Sequence, residues 1–247
     1  SRSLAYGATV TATPVTADLG AALNYLANPV AGTLVSGATD RYTLAVRPSE
    51  INSPAGGAVL LGVVVEAAAG ATLAPEIPQL AGYSAIASNS ANGRAFALFS
   101  VNRAGLDLLS VSGAGAGAYS LKLFVAGDAT GDGRVDGVDA QFLADMRQAG
   151  TYGIAADANL DGVLDQSDSQ LLFATLGYAA NQAPVLIDAS AAMTHLDLDL
   201  TLSLADRVRD PEGDTTYFQI LGATNAAAHL SGDGRSIVVT PLPGYSG

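Results

Sequence analysis

The sequence predicts a mainly β protein in which two β-sandwich domains are joined by a small α-helical module of two loop–helix repeats. Three observations carry that expectation. Residues 1–126 and 180–247 contain short runs whose apolar residues alternate with polar ones or fill both faces, separated by Gly-, Asn- and Ser-rich breaks. Residues 127–179 turn Asp-rich and take on helical periodicity. Within that middle stretch one twelve-residue pattern occurs twice.

In the first domain, 1–126, residues 41–47 alternate, with Tyr42, Leu44 and Val46 on one face and Arg41, Thr43 and Arg47 on the other. Residues 59–65 and 95–101 are apolar on both faces, as central strands of a sandwich are expected to be. Tyr119, Leu121, Leu123 and Val125 alternate with Ser120 and Lys122. Turns are expected at 53–57, 88–93 and 112–117, and a short helix at 18–27, where Leu19, Leu23 and Leu26 share a face. In the last domain, 180–247, residues 195–204 set Leu196, Leu198, Leu200, Leu202 and Leu204 against Asp197, Asp199, Thr201 and Ser203, a strand with one buried and one wet face.

Composition narrows the function. The 247 residues carry 11 basic and 23 acidic side chains, net charge −12, with no Cys and no Trp. One Lys and ten scattered Arg form no patch that tracks a phosphate backbone, so nucleic acid is not an expected partner. No apolar run approaches the ~20 residues that span a bilayer. The lack of Cys removes disulfides, thiolate zinc sites and Cys nucleophiles together. His195 and His229 are isolated, residues 113–117 form a Gly-x-Gly-x-Gly string ahead of a strand rather than a helix, and neither a Gly-x-Ser-x-Gly elbow nor a His-Glu-x-x-His helix is present. No catalytic residues are expected, and the chain is read as a non-enzyme. With no initiator Met or signal peptide at Ser1, it is expected to be a piece of a longer protein.

Nine of the 23 carboxylates crowd between Asp128 and Asp168, and such a cluster repels itself unless a cation sits within it. The repeated pattern explains the crowding. Residues 128–139 (DATGDGRVDGVD) and 157–168 (DANLDGVLDQSD) both place side-chain oxygens at loop positions 1, 3, 5, 9 and 12, Gly at 6 and an apolar residue at 8. Ca²⁺ takes six to eight oxygens at ~2.3–2.6 Å, and a twelve-residue loop presents alternate residues to it, position 7 giving its backbone carbonyl. The bend at position 6 needs Gly133 and Gly162, and an acid at position 12 also suits the first turn of the following helix. Each loop runs into a helical pattern: Phe142, Leu143 and Met146 before Gly150, then Leu171, Leu172 and Leu176 before Gly177. A strand, not a helix, precedes the first loop, which disfavours an ordinary EF-hand. Two Ca²⁺ would take the net charge from −12 to about −8, so binding and folding are expected to be coupled.

With Asp at position 12 and only an exiting helix, this stretch resembles the dockerins, a family with two such loop–helix repeats and two bound Ca²⁺. The resemblance implies ligation by Asp128, Asp132, Asp136 and Asp139 with the Arg134 carbonyl in the first site. In the second it implies Asp157, Asn159, Asp161, Asp165 and Asp168 with the Val163 carbonyl. Thr130 stands at position 3 where the family has Asn or Asp, so the first site is expected to be the weaker. Dockerins dock cohesins through loop positions 10 and 11, here Gly137-Val138 and Gln166-Ser167. The common Ser/Thr pair is thus absent from the first repeat and half present in the second.

The flanks carry two further resemblances. The runs AGTLVSGATDRYTLAV and GAYSLKLFVAGD are similar to the bacterial pre-peptidase C-terminal domain, a small β-sandwich appended to secreted proteins. NQAPV, the DPEGD turn (Asp210 to Asp214) and PGYSG resemble a bacterial cadherin-like, immunoglobulin-type repeat, and the strands expected after the last motif do not follow. That family implies a third Ca²⁺ position at Asp210, Glu212 and Asp214; an ordinary acidic turn is the alternative. The expectation is therefore an extracellular, secreted bacterial surface, adhesion or matrix segment stiffened by Ca²⁺. A cohesin-binding module and a self-assembling fibre subunit completed by strand donation between copies are the alternatives.

Overall fold

A computed structural model describes residues 16–19, 29–193 and 195–245. The chain falls into two compact units, Ser1–Ala180 and Asn181–Gly247. It is mainly β, and no helix is long and apolar enough to cross a membrane among the described residues.

The first unit runs β1 (Ala17–Asp18), β2 (Val30–Leu34), β3 (Thr39–Val46), α1 (Pro48–Asn52), β4 (Val59–Ala67), β5 (Ala74–Pro75), β6 (Gln79–Leu80), β7 (Ala85–Ala91), β8 (Arg94–Val101), β9 (Gly105–Ala114), β10 (Gly117–Val125), α2 (Gly137–Ala149) and α3 (Gln166–Thr175). One sheet has the order β1-β3-β9-β5, with β6 also on β9, and the other β2-β10-β4-β8-β7. β1 pairs with β3 in parallel; the remaining pairs are antiparallel. Tyr42, Leu44, Leu109 and Val111 of the first sheet share a core with Leu61, Val63, Phe99, Leu121 and Leu123 of the second. Tyr119 donates to Asp40 and bonds Tyr42, both at 2.6 Å, satisfying hydroxyls that burial would otherwise penalise.

The second sheet is apolar on its other face too, and the reason differs from the one expected. A central strand of a two-layer sandwich still has one face toward water. Here Leu60, Val64, Phe96, Leu98 and Phe124 form a second cluster with Ala158 and Leu160, against which Ile154 and Leu171 pack. The loop–helix segment is a third layer on that face, which is why residues 59–65 of β4 and 95–99 of β8 are apolar on both faces. Contacts also cross the sequence boundary at 126/127 elsewhere. Leu172 lies in the main core, Thr175 donates to the Ala126 carbonyl (2.6 Å), and the Tyr178 hydroxyl donates to fully buried Glu50 (3.1 Å).

The turns are tighter than expected. Residues 88–91 belong to β7 and 112–114 to β9, and the reversals narrow to Asn92-Gly93 and Gly115-Ala116, where left-handed backbone is available. Of the helix expected at 18–27, Asp18 is in β1 and residues 20–28 lie outside the described residues.

The second unit holds β11 (Val185–Leu186), β12 (Leu200–Ser203), β13 (Val208–Arg209), β14 (Ala226–Leu230) and β15 (Ser236–Pro241), as a β11-β13 pair and a β12-β15-β14 sheet. The strand expected at 195–204 shrinks to β12. Asp197 is left-handed (φ 55°) and Leu198 N–H closes a turn onto the His195 carbonyl (3.2 Å), which breaks the extended run. Leu196 and Leu198 are exposed as a result, and no apolar side chain of this unit is buried among the described residues.

Candidate metal centre

The two Asp-rich loops fold alike. Position 6 is left-handed in both (Gly133 φ 83°, Gly162 φ 91°), and so is position 4 (Gly131 φ 76°, Leu160 φ 54°). Position 9 caps the following helix in both: Asp136 accepts from Val138 N–H (2.7 Å), and Asp165 from Ser167 N–H (2.6 Å). The expected helices follow, α2 stopped by left-handed Gly150 and α3 by Leu176 and Gly177. Of the apolar pattern Phe142, Leu143 and Met146 in α2, Leu143 is buried and Phe142 is exposed.

The carboxylates at positions 1 and 12 are buried: Asp157 and Asp168 fully, Asp139 and Asp128 nearly so. Asp128 accepts from Gly131 (2.8 Å), Asp132 (3.1 Å) and Gly133 (3.0 Å) N–H groups. Asp157 accepts from Asp161 (3.2 Å) and Gly162 (2.9 Å) N–H and from the Tyr152 hydroxyl (2.8 Å). At position 12 each carboxylate bridges its loop: Asp139 takes N–H bonds from Thr130 and Asp136, and Asp168 from Ala158 and Asp165. Asp132 accepts from Arg134 N–H, Asp161 from Val163 N–H, and the Asn159 amide joins Asp161 on both sides.

Thr130 points its hydroxyl at Asp139 (2.9 Å), so at position 3 the first loop offers a donor engaged with position 12 where the second offers the Asn159 carbonyl oxygen. The exits of the loops also differ. Gly133 to Val135 pair with residues 177–180 through Ala180 N–H to Gly133 O (2.7 Å), Gly177 N–H to Val135 O (2.9 Å) and Val135 N–H to Tyr178 O (3.0 Å).

Burial raises the Asp128 carboxyl to about 6, with the Asp139 and Asp132 charges pushing the same way against its N–H donors. Burial also raises Asp168, with Asp157 adding to it. The donor set is entirely oxygen, so it fits a hard dication and not a soft metal. Among the described residues, however, no three carboxylate or imidazole groups are gathered into a cage, because the end-of-loop carboxylates turn toward backbone N–H groups.

Asp210, in the third acidic stretch, is buried and accepts from Glu212 (3.1 Å) and Asp214 (2.9 Å) N–H, and Glu212 accepts from Gln182 N–H (3.1 Å). Those are the bonds of an acidic turn. Sequence reasoning missed Leu160, Tyr152 and the Glu50–Tyr178 contact. Only Leu160 left a signal, as a large apolar residue where the first loop has Gly. No protein-family model matches the chain, and neither a curated protein nor a solved structure matches it.

Proposed function

We propose that the chain is a non-catalytic, calcium-binding segment of an extracellular surface, adhesion or matrix protein, and that Ca²⁺ in the two dockerin-like loops rigidifies the unit Ser1–Ala180. The supporting observation is the repetition: two loops share one backbone and one pattern of N–H bonds to buried position-1 carboxylates. A capping box accounts for the Asp pair at positions 9 and 12 of each loop but not for the buried Asp at position 1. When bound, the ion supplies the positive charge that these crowded carboxylates repel each other without. Asp128, Asp132, Asp136 and Asp139 with the Arg134 carbonyl would hold one ion. Asp157, Asn159, Asp161, Asp165 and Asp168 with the Val163 carbonyl would hold the other. Calorimetric titration of the chelated chain with CaCl₂ tests this; a stoichiometry near two supports it, and no saturable heat at millimolar calcium refutes it.

Two exposed surfaces favour other partners. Val138 and Phe142 lie one turn apart on α2, 63% and 40% exposed, an apolar pair suited to a cohesin-like domain. Calcium-dependent capture by a panel of cohesins tests that reading. In the second unit Val185, Leu186 and Ile187 are exposed, which suits strand pairing between copies; concentration-dependent light scattering tests it.

A further inference from the structure

The geometry points to a second binding site, for a carboxylate-bearing saccharide, in the cavity between the β7–β8 hairpin and the second loop. This site stands on its own geometry and does not require the calcium reading. The cavity measures about 370 Å³, and its lining includes Asn89, Asn92, Arg94, Phe96, Leu160 and Asp161. That volume lies in the range of small-ligand sites, ~300–1,000 Å³.

Its walls follow from the sheet. Asn89 pairs with Phe96 and Ala91 with Arg94, and opposed residues of an antiparallel pair share a face. On the face carrying Phe96, the loop–helix layer covers Val64 and Phe124 but stops short of Arg94, leaving a recess with an apolar floor and a polar end. Asn92 and Gly93 are both left-handed (φ 53° and 76°), the two-residue reversal that Asn-Gly makes best, so the Asn92 amide is held on a stiff turn.

Arg94 sets the charge of the recess. Its nearest carboxylate, Glu66 at 3.4 Å, is shared with Lys122, so two cations face one anion. The Arg94 Nε faces Glu66 Oε1 at 3.4 Å without forming a hydrogen bond and Nη2 makes none, while the side chain remains 32% exposed. Asp161 also lines the cavity; its Oδ1 accepts from Val163 N–H and its Oδ2 from the Asn159 amide, so both of its oxygens are engaged and the donors left for a ligand are those of Arg94 and the two Asn side chains. A planar guanidinium selects a carboxylate, two carboxamides serve as donors and acceptors for hydroxyls, and the Phe96–Leu160 floor accepts the apolar face of a sugar ring. A hexuronate unit combines these three features.

Calorimetric titration of the full chain with D-glucuronate, in calcium-containing buffer, tests the site against D-glucose and acetate. Saturable glucuronate binding in the millimolar range is expected, with glucose at least about tenfold weaker. Arg94→Gln should weaken glucuronate by about tenfold or more with an unchanged circular dichroism spectrum, and Asn89→Ala by a smaller factor. No saturable binding of glucuronate by the wild type overturns the proposal. So does equal binding of glucose, or binding unchanged in both variants. Acetate binding as tightly as glucuronate overturns the saccharide assignment.

Discussion

Leu160 offers a sharp test of how the second loop is built. Among the described residues the other non-glycine positions with positive φ are Asn92, Asp197 and Asn225, types that tolerate that conformation; Leu160 does not belong to their class. It is held there because its side chain packs into the cluster with Phe96, Leu98 and Phe124. Left-handed backbone costs a residue with a Cβ roughly 1–2 kcal/mol, which Gly does not incur. Trimming a buried Leu to Ala costs about 2–5 kcal/mol, and removing the last methyl roughly 0.8 kcal/mol more. Leu160→Gly should therefore be no worse than Leu160→Ala, and better by up to about 1 kcal/mol. Leu172, buried in α3, provides the contrast. There Gly should be worse than Ala by about 2 kcal/mol, from helix propensity and the same methyl. Urea unfolding in saturating calcium, followed by far-ultraviolet circular dichroism, reads the four variants through helices that lie only in the first unit among the described residues. At about 1–3 kcal/mol per molar urea, a difference of ~2 kcal/mol between the two Gly–Ala gaps moves midpoints by roughly 1 M. Equal gaps at the two positions would refute the account of the loop.

Chelation should reduce the helical signal and expose residues 127–178 to protease; a fragment indifferent to chelator counts against calcium-coupled folding. Asp157→Ala should weaken the tighter of the two calcium-binding events and Asp128→Ala the looser, because of Thr130 in the first loop; the opposite ranking by calorimetry refutes that. Tyr178→Phe removes a buried hydrogen bond to Glu50 and should lower the stability of the first unit by about 1–3 kcal/mol in the same urea assay, and a neutral substitution would show the contact to be incidental. In the chelated protein, the Asp128 value of about 6 lies above the ordinary ~4, so the folded state holds this proton more tightly than the unfolded. Its contribution is stabilising at low pH and lost as pH rises from about 4 through 6. The melting-temperature difference between wild type and Asp128→Asn should thus turn against the wild type over that window, and a difference independent of pH would show Asp128 to be unperturbed.

Much of the first unit was legible because the signals were local. Tyr42, Leu44 and Val46 alternate, and they are buried on one face of β3. Gly150 ends α2 where a left-handed stop was expected, and Gly133 and Gly162 bend their loops with positive φ. What the sequence concealed was the reason for the two apolar faces of β4 and β8. Periodicity reports that a face is covered, not by what, and the covering residues Ala158 and Leu160 lie inside a loop pattern read only for its oxygens. The 195–204 stretch failed for the converse reason. Perfect alternation over Leu196 to Leu204 promised a buried face, but Asp197 adopts a turn with its carboxylate accepting from Gly244 N–H (2.8 Å), and local Asp chemistry outweighs a pattern that no packing partner enforces.

The third layer changes what a calcium ion in these loops would stabilise. An Asp-rich connector that was merely a spacer would fold or unfold without affecting its neighbours. Here Ala158 and Leu160, at positions 2 and 4 of the second loop, fill the apolar face of β4, β8 and β10, and Leu172 and Tyr178, which follow that loop, reach the main core. The first loop is tied to the same body by Ala129 and Val135, which lie in the main core, and by the bonds between 133–135 and 177–180. Free energy from an ion in either loop is therefore shared with about 25 cal/mol per Å² of apolar surface that the paired sheets lose to water if the layer detaches. Both loops have side chains of their own in the cores, Ala129 and Val135 from the first and Ala158 and Leu160 from the second, so an ion in either should stabilise the same unit. A calcium-dependent increase in the urea midpoint that is reduced by Asp128→Ala and by Asp157→Ala alike is the outcome this coupling requires, and an increase unchanged in either variant would refute it.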